Sequence, residues 1–145
     1  MRHLVAAAGL VTLLANPRAA LSQAPPLQVV VNSANTVGSM SPTDLSRIFL
    51  KRSLTWPSGL PAVPVDQTEE SPNWTLFAHW IHHKSAPALE SFWQDQIFSG
   101  RASPPPELAS DADVLEFVRR NLNAVGYVSR SATIGSGVRL LAINQ

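Results

Sequence analysis

Gln67, Ser71 and Asn73 lie close together in the stretch Val65-Asp66-Gln67-Thr68-Glu69-Glu70-Ser71-Pro72-Asn73, and each carries an uncharged hydrogen-bonding side chain. A serine followed by proline suits an N-cap and first helical residue, and a helix start leaves backbone N–H groups without intrahelical partners. Those N–H groups, with the donors of Gln67, Ser71 and Asn73, suit a small anion or a neutral polar solute. The same pair is also an ordinary helix start whatever the function.

His79, His82 and His83 are spaced by three and four, which sets two imidazoles on one helical face. Such a pair can bind zinc or copper, but no acid in the same helix completes a third ligand, so an exposed polar face is the leading reading and a metal site the alternative. Trp56, Trp74, Trp80 and Trp93 could stack on a sugar. Trp74 and Trp93 fall on apolar stripes and are expected in the core, whereas Trp80 is the expected exposed ring. Arg47, Lys51 and Arg52 cluster at the end of a predicted helix, where cations complement the helix dipole. Catalysis has little to stand on. There is no Gly-x-Ser-x-Gly elbow, no His-Asp pair assignable from spacing and no cysteine for a thiol nucleophile, a disulfide or a cysteine metal site.

The elements that must position these residues follow from periodicity. Leu27 to Asn32 contains three consecutive valines, stiff at χ1 and suited to a strand buried on both faces. Ser41-Pro42-Thr43-Asp44 starts a helix to about Leu50, with Leu45, Ile48 and Phe49 on one face. Ala62 to Val65 reads as a second strand, and a helix from Pro72 to near Lys84 buries Trp74, Phe77, Ala78 and Ile81. A further helix from Ala86-Pro87 carries Leu89, Phe92, Trp93 and Ile97 at helical spacing, and Ser103-Pro104-Pro105-Pro106 is an extended connection. Ser110-Asp111-Ala112-Asp113 caps a helix through Val114, Leu115, Phe117 and Val118; strands are predicted over Asn123 to Val128 and Val138 to Ile143. Helices alternating with short buried strands specify an α/β layer fold.

Met1-Arg2-His3, the apolar run Leu4 to Ala15 and the small residues around Ala24 have the pattern of a secretory signal peptide over residues 1–24, too short to span a bilayer. The remaining residues 25–145 suffice for one domain. Losing Arg2 and Arg18 leaves 9 basic against 10 acidic residues, so nothing indicates nucleic acid as a partner.

Val29-Val30-Val31-Asn32, Leu45-Ser46-Arg47-Ile48-Phe49-Leu50, Trp56-Pro57-Ser58-Gly59, Val63-Pro64-Val65-Asp66, Ile97-Phe98-Ser99-Gly100 and Ala124-Val125-Gly126-Tyr127-Val128 resemble, in order and spacing, the phosphate-binding proteins of ABC transporters. The match is closest to short, single-lobe relatives and covers nearly all of the mature chain. It implies a type II periplasmic-binding-protein fold reduced to one lobe, a small mixed sheet flanked by helices. The family binds phosphate through an arginine followed by a Ser-Gly-Thr turn. Ser71 matches the family serine, while Pro72 replaces the glycine, Asn73 the threonine, Gln67 the arginine and Glu70 a further glycine. A charge-assisted hydrogen bond contributes about 1.5 to 3 kcal/mol, so losing the arginine alone weakens phosphate binding by roughly tenfold to over a hundredfold.

The resulting expectation is an exported, periplasmic, non-catalytic module, without cofactor, that binds phosphate or another small oxyanion weakly through Gln67, Ser71 and Asn73, beside an ABC transporter. The alternative is an envelope protein-interaction module that has lost solute binding and pairs with an envelope protein or a second copy of itself.

Overall fold

A computed structural model describes residues 23–144. Apart from Gln23 and Ala24, the expected signal peptide lies outside the described residues. The valine run forms β1 (Leu27–Asn32), one of the two inner strands of a four-stranded mixed sheet. It pairs antiparallel with β6 (Ala124–Ser129) on one side and β7 (Val138–Leu140) on the other, and β3 (Val63–Pro64) joins the far edge of β6 in parallel. Parallel pairs of two strands each link β2 (Ser39–Met40) to β8 (Ala142–Ile143) and β4 (Asp66–Gln67) to β5 (Glu107–Leu108).

Alternation along the central strands divides the core between two faces. Val29 and Val31 of β1, with Val125 and Tyr127 of β6, pack against α1 (Pro42–Phe49), α2 (Pro72–Phe77) and the π-helical turn Ala78–His82. Val30, Ala124 and Val128 face the other way, onto Val114, Leu115 and Val118 of α4 (Asp111–Arg120). The amide of Asn32 ties these layers together by donating to the carbonyls of Val118 and Arg119 at 3.0 and 2.9 Å, which satisfies the end of α4. A third cluster joins Trp74 and Ala78 to Leu89 and Trp93 of α3 (Ala86–Phe98).

At Gly126 the side chains of α4 pack directly on the sheet backbone. A Cβ there would lie 2.6 Å from Val114 Cγ1 and 3.0 Å from Val65 Cγ1. Gly126→Ala should therefore cost about 1 to 3 kcal/mol through overpacking, read as a lower urea midpoint; an unchanged midpoint would mean that α4 has room to move away.

Several local expectations differ from the structure. The expected strand Ala62 to Val65 shortens to β3, with β4 beginning beyond Val65 in a different sheet, and Val138 to Ile143 is divided into β7 and β8, broken at Leu141, whose side chain turns into the core. The helix from Pro72 does not remain α-helical to Lys84. It widens into a π turn at Ala78 and stops at His83, which takes a left-handed φ of 52°. Ile97 is 56% exposed rather than on the buried stripe of α3, whereas Trp74 and Trp93 are buried as expected. Trp80 is half-buried against the first core cluster instead of being an exposed ring.

Candidate functional site

Gln67 ends β4 and Ser71 caps α2, so the turn between them brings Gln67, Ser71 and Asn73 into one hydrogen-bonded group. Ser71 Oγ donates to Gln67 Oε1 at 2.6 Å and accepts from the Asn73 backbone N–H at 3.2 Å. Asn73 Nδ2 also donates to Gln67 Oε1, at 3.3 Å. The backbone donors expected after Ser71 are occupied: Pro72 has none, Asn73 N–H meets the cap and Trp74 N–H donates to the Ser71 carbonyl. Side chains, rather than the helix start, therefore supply the available donors.

Those donors converge on a carboxylate. Asp111, the first residue of α4, accepts from Gln67 Nε2 at 2.9 Å and Asn73 Nδ2 at 3.1 Å through Oδ1. Ser129, at the end of β6, donates its backbone N–H to both carboxylate oxygens at 3.2 Å and its hydroxyl to Oδ2 at 2.5 Å. Gln67 Nε2 additionally meets the Tyr127 carbonyl at 3.0 Å, which fixes the amide that faces Asp111. Four donors thus converge on one carboxylate of the chain itself. Asp111 and Ser129 are absent from the sequence-based site. Asp111 reads locally as helix-capping chemistry, and its partners lie 18 to 44 residues away.

Asp66 points to the other side of β4, because successive strand residues face opposite ways. Its Oδ1 accepts from the Gln67 N–H at 2.9 Å and from the Tyr127 hydroxyl. Burial pushes the Asp66 carboxyl up to about 7, with Glu107 and Glu69 adding repulsion against the Tyr127 and Gln67 hydrogen bonds that lower it. Burial beside Asp66 also pushes the Tyr127 phenol well above its ordinary range, so it remains a donor. The Tyr127 ring stacks on Phe77 at 4.0 Å between centroids, and Phe77 in turn meets Phe49 at 4.7 Å. Aromatic packing thus holds the phenol against the carboxylate.

The histidines do not form one exposed face. His82 is buried, its Nδ1 lies 2.8 Å from Ser46 Oγ, and burial, followed by the nearby Lys84 and His83, lowers it to about 4. His79 and His83 are exposed, and among the described residues no group of three or more His, Cys, Asp or Glu is placed to hold a metal ion. In the basic cluster, Arg47 lies 3.9 Å from Asp44 and the Arg52 guanidinium sits 5.4 Å from the centre of the Phe92 ring.

No protein-family model and no curated protein matches the sequence. The fold does have solved counterparts. A protein assigned as a phosphate ABC transporter substrate-binding protein from Clostridium perfringens, solved with bound phosphate, superposes with a TM-score of 0.62 at 17% identity, over 81% of this chain and 44% of its own. An ABC-type phosphate transport receptor from Vibrio cholerae gives 0.62 at 18% identity, over 80% and 45%. PstS from Borrelia burgdorferi gives 0.64 at 13% identity, over 82% and 47%. The chain spans less than half the length of each of these structures. Its architecture, a small mixed sheet between helices, is the α/β fold of a single lobe of a periplasmic binding protein.

Proposed function

We propose that this chain is an exported, non-catalytic solute-binding-like module, residues 25–145 after loss of a signal peptide, that takes a small oxyanion such as phosphate weakly at the β4–α2 turn. The observation that carries the reading is the convergence of Gln67 Nε2, Asn73 Nδ2 and the Ser129 N–H and hydroxyl on one carboxylate position. Four donors aimed at a single oxyanion are the chemistry a phosphate group needs. Affinity is low for two reasons: the Asp111 carboxylate already holds the donors, and Asp66, Glu69 and Glu107 add negative charge nearby. An ABC transporter is the fitting partner, since the structural counterparts carry that role in their names. Among the described residues no helix is long and apolar enough to cross a membrane.

Amide chemical shifts recorded during a phosphate titration test this reading. Phosphate should move the signals of residues 67–73, 111 and 129 first, and Ser71→Ala should weaken binding while costing about 0.5 to 2 kcal/mol of stability through the lost cap. Shifts confined to other surfaces, or identical titrations of Ser71→Ala and Gln67→Ala, would remove the site from the turn.

A second reading rests on a different feature, a largely apolar groove of about 640 Å³ lined by Leu27, Val29, Trp80, Leu140, Leu141 and Ile143. Apolar grooves of this kind fit a protein partner, here an envelope protein or a second copy of the chain. Concentration-independent monomer mass, together with phosphate binding at the turn, would leave the first reading alone standing.

A further inference from the structure

Directly after α1 the chain turns back on the end of its own helix. Lys51 takes a left-handed φ of 58°, and the N–H groups of Arg52 and Ser53 both donate to the Arg47 carbonyl, while those of Leu50 and Lys51 reach Ser46 and Ile48. Backbone groups therefore meet the carbonyls of Ser46, Arg47 and Ile48, and the basic side chains expected to complement the helix end are not engaged there. The turn instead brings Arg47 and Arg52 to one open cleft of about 550 Å³, which Asp44, Ser53 and Thr55 also line.

Neither guanidinium is used up by the protein. Arg47 pairs with Asp44 at 3.9 Å, beyond hydrogen-bond length and between two exposed side chains, which makes a weak contact. Arg52 sits over the Phe92 ring, 5.4 Å from its centre, a contact that holds the cation in place without occupying its N–H donors in hydrogen bonds to described residues. Ser53 Oγ donates to the Thr55 carbonyl at 3.3 Å, so the Thr55 hydroxyl is the cleft's uncharged donor. Two cations against one carboxylate leave the cleft net positive.

We propose that this cleft binds a small organic dianion of the dicarboxylate class, with one carboxylate on each of Arg47 and Arg52 and the Thr55 hydroxyl as a further donor. The planar fork of a guanidinium matches a carboxylate through two parallel hydrogen bonds, and two such forks suit a ligand charged at both ends. The volume falls within the roughly 300 to 1,000 Å³ of small-molecule sites, more than an inorganic ion fills, so the occupant carries a carbon body between its charges. Asp44 competes for Arg47 and keeps the affinity modest. The inference goes beyond the proposed oxyanion site and does not depend on it, since the cleft and the β4–α2 turn share no residue.

Disodium succinate is the probe, read by calorimetry and by amide chemical shifts against sodium acetate and sodium chloride at equal ionic strength. Saturable shifts at residues 47, 52, 53 and 55 are expected with succinate, and much smaller ones with acetate, which spans only one guanidinium. Arg52→Gln should weaken succinate at least about tenfold, whereas Asp44→Asn, which removes the competing charge, should tighten it about twofold to fivefold. Arg47, Arg52 and Asp44 are all exposed, so the variants are expected to fold. No saturable response to succinate, an equal response to acetate, an unchanged affinity in Arg52→Gln, or weaker binding in Asp44→Asn would each overturn the assignment. Succinate shifts at the cleft that persist in Gln67→Ala would show that the site stands apart from the turn.

Discussion

Asp66→Asn is expected to be more stable than the wild type at about pH 8, by on the order of 4 kcal/mol, and to approach wild-type stability near pH 4. The asparagine side chain keeps an acceptor for the Tyr127 hydroxyl and the Gln67 N–H while removing a charge from a site that is only 6% exposed. The sign follows from where each state loses its proton. The folded carboxyl titrates at about 7 and the unfolded one at the ordinary value of 3.8. As pH rises from the lower value, the unfolded chain ionises while the folded chain does not, so stability falls until the folded pKa is passed and then stays level. His82 acts in the opposite sense. Its folded value of about 4 lies below the ordinary 6.5, so its contribution is intact above the ordinary value and is lost as pH falls toward the folded one. The two contributions offset each other across the same window and leave the wild type with a shallow profile. Asp66→Asn uncovers the histidine, so its stability should fall distinctly toward acid. Urea midpoints measured from about pH 5 to about pH 8 check this, and parallel profiles for variant and wild type would show that Asp66 titrates normally in the folded state.

Asp111→Ala has the second large expected effect, because it empties a position on which four donors are aimed. Each donor left without a partner costs desolvation free energy, partly recovered by water because Asp111 is only half-buried. A net loss on the order of 3 kcal/mol is expected. Formate has the shape of the deleted group and should restore part of the loss in thermal melts, with no comparable effect on the wild type, where Asp111 occupies the position. A variant melting with the wild type, or formate raising both alike, would mean that the donors are not organised around the carboxylate.

The long elements were legible because their signals are local. The Val29-Val30-Val31 run could only be a strand buried on both faces, and the Ser41-Pro42 and Ser110-Asp111 starts placed α1 and α4 to within a residue. The short strands were not, since their existence depends on pairing with distant chain rather than on their own pattern. Pro64, for instance, lacks an N–H and ends β3, after which the chain shifts to a different partner, β5. The π turn at Ala78 rotates His82 inward, against Ser46, a change of helical phase that no spacing of three or four reveals. At the turn, the group Gln67, Ser71 and Asn73 was legible from its spacing and cap. Its counterpart Asp111 was hidden by its plausible role as a first-turn acid of α4. Tyr127 offered the one available clue to Asp66: alternation along β6 puts it in the core, and a buried phenol requires a partner. Asp66, at the end of the neighbouring hydrophobic stretch, was the nearest unexplained acid.

Whether the donors of Gln67, Asn73 and Ser129 form an oxyanion site that Asp111 fills decides the proposed function. Calorimetric titration of the wild type and of Asp111→Ala with phosphate, at matched low ionic strength, addresses that most directly. The wild type should bind weakly and the variant at least about tenfold more tightly, since the competing internal carboxylate and its charge are both gone. Equal or weaker binding by a folded Asp111→Ala variant would contradict the account, leaving the turn as a structural network and the single lobe without an oxyanion site there.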